Sequence, residues 1–221
     1  MKAMIPVVLF AVSTLSANAQ QASAGAPQPS SNMAGMHHEH SSGAPISYAE
    51  LKDTVASLER ARQATAKYQD ARVAQADGYQ AIGPDVPGMG IHFVRTKKDP
   101  AAEGAKKDAG FDVERPQILL YENDPSVAGG YSLVGVSYLL RAPEGPDGQP
   151  LNSPFPKSLA MWHRHENICV LPDRSTPAGL TEEQCQQKGG RFTAETEWMV
   201  HAWIWKDSPL GVFSPTNPAV R

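Results

Sequence analysis

The sequence predicts an α+β fold, in which one long N-terminal amphipathic helix packs on a mainly antiparallel, twisted sheet within a single domain. Three observations lead there. Ser47-Tyr48-Ala49-Glu50 is a capping box opening a helical stretch. After Tyr79 the chain becomes short apolar runs divided by Pro and Gly. No apolar run is long enough to cross a bilayer as a helix.

Residues 1–19 read as a secretory signal peptide. Lys2 is followed by an apolar run from Met4 to Leu15, and Ala17-Asn18-Ala19 offers a small-residue cleavage site before Gln20. The predicted location is therefore periplasmic or secreted. Residues 20–46 are Ala, Ser, Gly, Pro and Gln with almost no large apolar side chain. Such a segment cannot bury enough surface to offset its ordering entropy and reads as a disordered tail, one that carries Met33, Met36, His37, His38, Glu39 and His40.

The domain proper is placed at 47–221. In 47–78 the Ser47 hydroxyl can accept from the Glu50 amide while the Glu50 carboxylate reaches back, with Ile46 and Leu51 flanking the box as a staple. Leu51, Val55, Leu58, Ala61, Thr65 and Tyr68 form one stripe, and Gly78 ends it. In 79–221, Gln117 to Glu122 and Tyr131 to Arg141 read as strands and Ala142 to Pro154 as a loop. Thr181 to Lys188 reads as a short helix. The segments around His163 and His201 are two further strand candidates.

Composition narrows the function classes. The chain has 221 residues and a formal charge of −3 with no basic stripe or cluster among aromatics, so nothing points to nucleic acid. There is no Gly-x-Ser-x-Gly elbow, no phosphate-binding glycine loop and no His-Glu-x-x-His helix. No membrane span is expected, and no feature identifies a protein partner.

The histidines carry the chemistry. In an extended segment residues i and i+2 lie on one face about 6.5–7 Å apart, so two imidazoles there can share an ion at roughly 2 Å. That face reads His163, His165, Asn167, Cys169, and in the last candidate strand His201 shares its face with Met199, Trp203 and Trp205. If the two strands are neighbours, three imidazoles converge within an aromatic wall. His92, after the Gly88-Met89-Gly90 turn, is placed to supply a fourth ligand or a supporting partner. The bland reading is that these histidines are polar members of an aromatic core, satisfied by hydrogen bonds.

Neutral imidazoles in an oxidising compartment suit copper or zinc. Glu166 and Glu197 are the carboxylates that could act on a bound water, Glu197 sharing a face with His201. In the tail, Met33, Met36, His37, His38 and His40 join thioether to imidazole, a combination that favours copper and suits an accessory chelator. Cys169 and Cys185 most simply form one disulfide in an exported chain. The sharper alternative makes Cys169 a thiolate ligand beside His163 and His165.

Gly88-Met89-Gly90-Ile91-His92-Phe93, Trp162-His163-Arg164-His165-Glu166-Asn167-Ile168-Cys169 and the stretch from Trp198 to Pro218, which closes on Gly211-Val212-Phe213-Ser214-Pro215-Thr216-Asn217-Pro218, resemble the motifs of an uncharacterised family of exported bacterial proteins. The resemblance spans Ala64 to Pro218, omits the tail, and implies a shared fold and site without an established activity. Three readings follow. One is an exported copper- or zinc-binding protein with His163, His165, His201 and His92 as ligands. The second is a metal-dependent hydrolase or oxidase using the same histidines. The third is a structural or small-ligand-binding domain in which Trp162, Trp198, Trp203 and Trp205 are simply core.

Overall fold

Helix and sheet both form, in the order the sequence predicts. A computed structural model of the chain describes residues 45–96 and 111–221. The predicted signal peptide and nearly all of the predicted tail, with Met33, Met36, His37, His38 and His40, lie outside the described residues.

Helix α1 spans Tyr48–Thr65, and its capping box is complete: the Glu50 amide donates to Ser47 Oγ at 3.2 Å and the Ser47 amide to Glu50 Oε2 at 2.9 Å. The expected stripe packs only in its second half. Ala61, Thr65 and Tyr68 are buried, but Leu51 and Val55 stay 42% and 58% exposed. Nor does the helix continue to Gly78. A 3-10 turn at Ala66–Gln69 is followed by α2, Ala71–Ala76, which is capped by Asp70 accepting from the Arg72 amide at 3.0 Å. This change of direction lets Tyr68, Ala71 and Ala74 all join the core.

Strands β1 (Tyr79–Val86), β2 (Gly90–Arg95), β3 (Ile118–Asn123) and β4 (Tyr131–Leu140) form an antiparallel meander, and β7 (Trp198–Ala202) completes the sheet against β4. A separate two-stranded sheet pairs β5 (Glu166–Val170) with β6 (Arg191–Glu195), and the short helix α3 (Glu182–Gln187) lies between them in the chain. The β1–β2 turn brings Gly90 so near β3 that a Cβ there would stand 2.2 Å from the Tyr121 carbonyl oxygen, at φ +70°. Only glycine fits.

The large sheet has two different faces. Toward the helices it presents Phe93, Leu119, Tyr121, Val136, Tyr138, Val200 and Ala202. Buried tyrosine hydroxyls on this side find backbone acceptors, Tyr121 at the Tyr68 carbonyl (2.6 Å) and Tyr138 at the Val113 carbonyl (2.7 Å). The opposite face collects Ile118, Leu120, Val134, Met199 and Trp203, closed by Val220 from the C-terminal segment. That segment is tied down by the Asn217 amide, which donates to the Gly88 carbonyl at 2.7 Å, and by Trp203 Nε1, which donates to the Ser214 carbonyl at 2.7 Å.

Cys169 and Cys185 are joined in a disulfide, so Cys169 is not a thiolate ligand. Among the described residues no helix is long and apolar enough to cross a membrane.

Candidate metal centre

The segment carrying His163 is a neighbour of β7, as a shared site requires. His163 and Met199 form an isolated antiparallel bridge, with the His163 amide donating to the Met199 carbonyl at 2.9 Å and the Met199 amide donating back at 2.7 Å. The pairing then ends. His165 is held instead by Thr196, its amide donating to Thr196 Oγ1 and its carbonyl accepting from the Thr196 amide, both at 2.9 Å. Asn167 takes a positive φ of 55°, which breaks the alternation, so the predicted face His163-His165-Asn167-Cys169 divides. The two histidines stay with the large sheet while Cys169 leaves with β5. Arg164, between them, points the other way: it stacks on Trp198 at 4.1 Å and pairs with Glu195 at 2.9 Å and with Glu144. This clamp orients His163 and His165 by fixing the residue between them.

His201 is the penultimate residue of β7, on the face away from the helices and opposite Ser137 of β4. Strand β7 stops at Ala202, and the following turn sends Trp205 to the helix side, where its Nε1 donates to Thr65 Oγ1 at 3.1 Å. The expected place for Trp205 on the His201 face is therefore not realised. Trp203 does remain beside His201, with ring centroids 5.5 Å apart.

Around His201 the rings gather. Its centroid is 5.1 Å from that of His163 and 5.5 Å from that of His92, and His163 is 5.2 Å from His165. Two strands, β3 and β4, separate β2 from β7 in the sheet. In a flat sheet those backbones would stand about 14 Å apart, so contact between His92 and His201 requires the sheet to curl toward this face, the side chains to lean across it, or both. The β4 residues they lean over are the small Gly135 and Ser137. An ion about 2.0–2.1 Å from each donor nitrogen, tetrahedrally bound, would set imidazole centroids about 5.2 Å apart. The observed spacings match that figure, while the steep interplanar angles of 85° and 87° are also those of edge-to-face packing. Among the described residues no group of three or more His, Cys, Asp or Glu is already posed to hold a metal ion. The rings are neighbours whose nitrogens must still rotate to converge.

The hydrogen bonds define which nitrogen is available. His201 Nδ1 lies 2.7 Å from the Pro215 carbonyl oxygen and His163 Nδ1 lies 3.2 Å from that of Met161. A carbonyl only accepts, so each Nδ1 carries its proton, and in the neutral ring Nε2 then carries the lone pair. This is the arrangement in which metal-binding histidines are usually held. His201 Nε2 is buried in a residue of 0% exposure and has no hydrogen-bond partner among the described residues, and the same holds for Ser137 Oγ opposite it. Orphaned polar atoms at such depth are uncommon and ask for an occupant.

Burial keeps His92, His165 and His201 neutral. Burial, and then the nearby His163 and His92, hold His201 well below the ordinary histidine range, against the opposing pull of the Pro215 bond. Burial, with His165 adding to it, pushes His92 down to about 4, and burial lowers His165. His163 and His201 are buried, whereas His92 and His165 keep partial exposure and form the side from which an ion could enter.

Of the predicted carboxylates, one is exposed and the other is held by an arginine. Glu166 is exposed at the start of β5, and Glu197 accepts from Arg141 Nε at 2.9 Å. The supporting parts that sequence reasoning missed are Ser137, the Pro215 carbonyl and Asn217. Asn217 holds the Pro215 turn, donating to the Lys206 carbonyl at 2.9 Å and accepting from the Ala219 amide at 3.0 Å. The signal for Pro215 and Asn217 was the Pro215-Thr216-Asn217-Pro218 run within the closing motif, and Ser137 had none. No family model, curated protein or solved structure matches this chain.

Proposed function

We propose that this is an exported metal-binding protein that holds one copper or zinc ion among His163, His201, His92 and His165, with the His/Met tail as an accessory chelator. The observation that carries the reading is the orphaned, fully buried Nε2 of His201, whose other nitrogen is fixed on Pro215 and whose ring is flanked by two more imidazoles. Burying an imidazole with one nitrogen unpaired costs about 1–3 kcal/mol. A bound ion offsets that cost, and an aromatic core without one does not. The neutral state of His92, His165 and His201 at physiological pH is the state a metal requires of its ligands.

The test is elemental analysis of exported, untagged protein in which tail residues His37, His38 and His40 are replaced by alanine. One equivalent of copper or zinc that disappears in His163→Ala and His201→Ala supports the reading. A chain that arrives metal-free and takes up neither ion overturns it.

A further inference from the structure

No carboxylate is among the groups that act electrostatically on His92, His165 or His201. The groups that shift His92 and His201 are other histidines and the Pro215 carbonyl, and burial alone shifts His165. The walls on this side of the sheet are Ile118, Leu120, Met199 and Trp203. An ion bound here therefore keeps its full charge in apolar surroundings. Because the cost of dehydrating an ion grows with the square of its charge, a divalent ion bears about four times the penalty of a monovalent one.

A soft donor stands at the same place. Met199 is directly opposite His163 across the bridge and two residues from His201 on β7, so all three side chains leave the same face. Residues so paired have Cβ atoms about 4.5–5.5 Å apart, and a thioether on three rotatable bonds covers that distance readily. Met199 is 7% exposed, whereas Met161, the other thioether near His163, is 43% exposed and outside the cluster.

Resting on the metal-binding reading, we infer that the ion of this centre is Cu(I), held by imidazoles together with the thioether of Met199, in preference to Zn(II) or Cu(II). Thioether sulfur selects Cu(I) among these ions, and a neutral donor set in an apolar wall favours the lowest charge.

The experiment uses the full chain with His37→Ala, His38→Ala, His40→Ala, Met33→Leu and Met36→Leu, so that only the core can bind. Cu(I) affinity is measured anaerobically against a chromogenic Cu(I) chelator, and Zn(II) and Cu(II) affinities by competition with their own chelators. The expected results are that Cu(I) binds most tightly, that Met199→Leu weakens Cu(I) at least tenfold with Zn(II) changed less than about twofold, and that Met161→Leu changes neither. X-ray absorption of the copper-loaded chain provides a readout independent of how the variant folds, and a copper–sulfur shell is expected. Tighter binding of Zn(II) or Cu(II), no sulfur shell, or a Met199→Leu effect equal on Cu(I) and Zn(II) overturns the assignment while leaving metal binding intact. Failure of all three ions to bind sinks the metal-binding reading itself, and this inference with it.

Discussion

His201 Nδ1 lies 2.7 Å from the carbonyl oxygen of Pro215, fourteen residues further along the chain, and this contact leaves the opposite nitrogen of a fully buried imidazole, whose ring neighbours those of His163 and His92, without a hydrogen-bond partner among the described residues. The Pro215 carbonyl is itself placed by the C-terminal turn. The orientation of the ring is thus set by a segment that contributes no side chain to the cluster.

Replacing His201 by leucine separates stability from binding. The substitution nearly conserves volume and removes the orphaned nitrogen, though it leaves the Pro215 carbonyl without its donor, so the metal-free protein should change by less than about 1.5 kcal/mol. In the wild type, saturating metal should raise the melting temperature, by an amount equivalent to about 2.7 kcal/mol at a hundredfold excess over Kd. Thermal melts of His201→Leu with and without metal should coincide.

Asn217→Ala should act at a distance. It removes the donor to the Lys206 carbonyl and the acceptor for the Ala219 amide. Leaving such groups unmet should cost about 2–4 kcal/mol, read from urea unfolding. Metal affinity should fall as well, because the Pro215 carbonyl loses its position, and retention of full affinity would show that this turn does not orient His201.

The metal-free protein should lose stability on mild acidification. His92, His165 and His201 bind protons less readily folded than unfolded, since burial lowers all three. Their contribution is complete above the unfolded value near 6.5 and is lost as pH falls from there toward about 4, where the unfolded chain holds more protons. Melting temperature should drop by roughly 5–10 °C between pH 7 and pH 5. The slope should be shallower in His201→Leu, and equal slopes would mean that His201 does not drive it.

Gly190→Ala tests the small sheet. A Cβ at this position would lie 2.8 Å from Cys185 Sγ and 2.9 Å from Cys169 Sγ. The disulfide, which closes a loop worth roughly 3 kcal/mol by the chain-entropy estimate, should form incompletely. Free-thiol titration of the purified variant reads this directly, and a fully oxidised Gly190→Ala would show that the small sheet can shift to admit the methyl.

Local chemistry by itself determined much of this protein. The Ser47–Glu50 capping box, the strands now seen as β3 and β4 and the short helix opened by Thr181 are decided by side chains within a few residues of one another, and the Cys169–Cys185 pair follows from there being two cysteines in the chain. Tertiary packing decided the rest. Leu51 and Val55 carry the right spacing for burial but stay exposed, and Asp70 divides a helix whose periodicity looked continuous. The positive φ of Asn167 and the end of β7 at Ala202 redirect Cys169 and Trp205 away from the face that strict alternation gave them. That His92 meets His201 across two intervening strands, and that Pro215 aims the ring, depend on sheet curvature and on a loop returning from the C-terminus. Such contacts join residues far apart in the chain, and their energies exist only once the whole sheet is assembled.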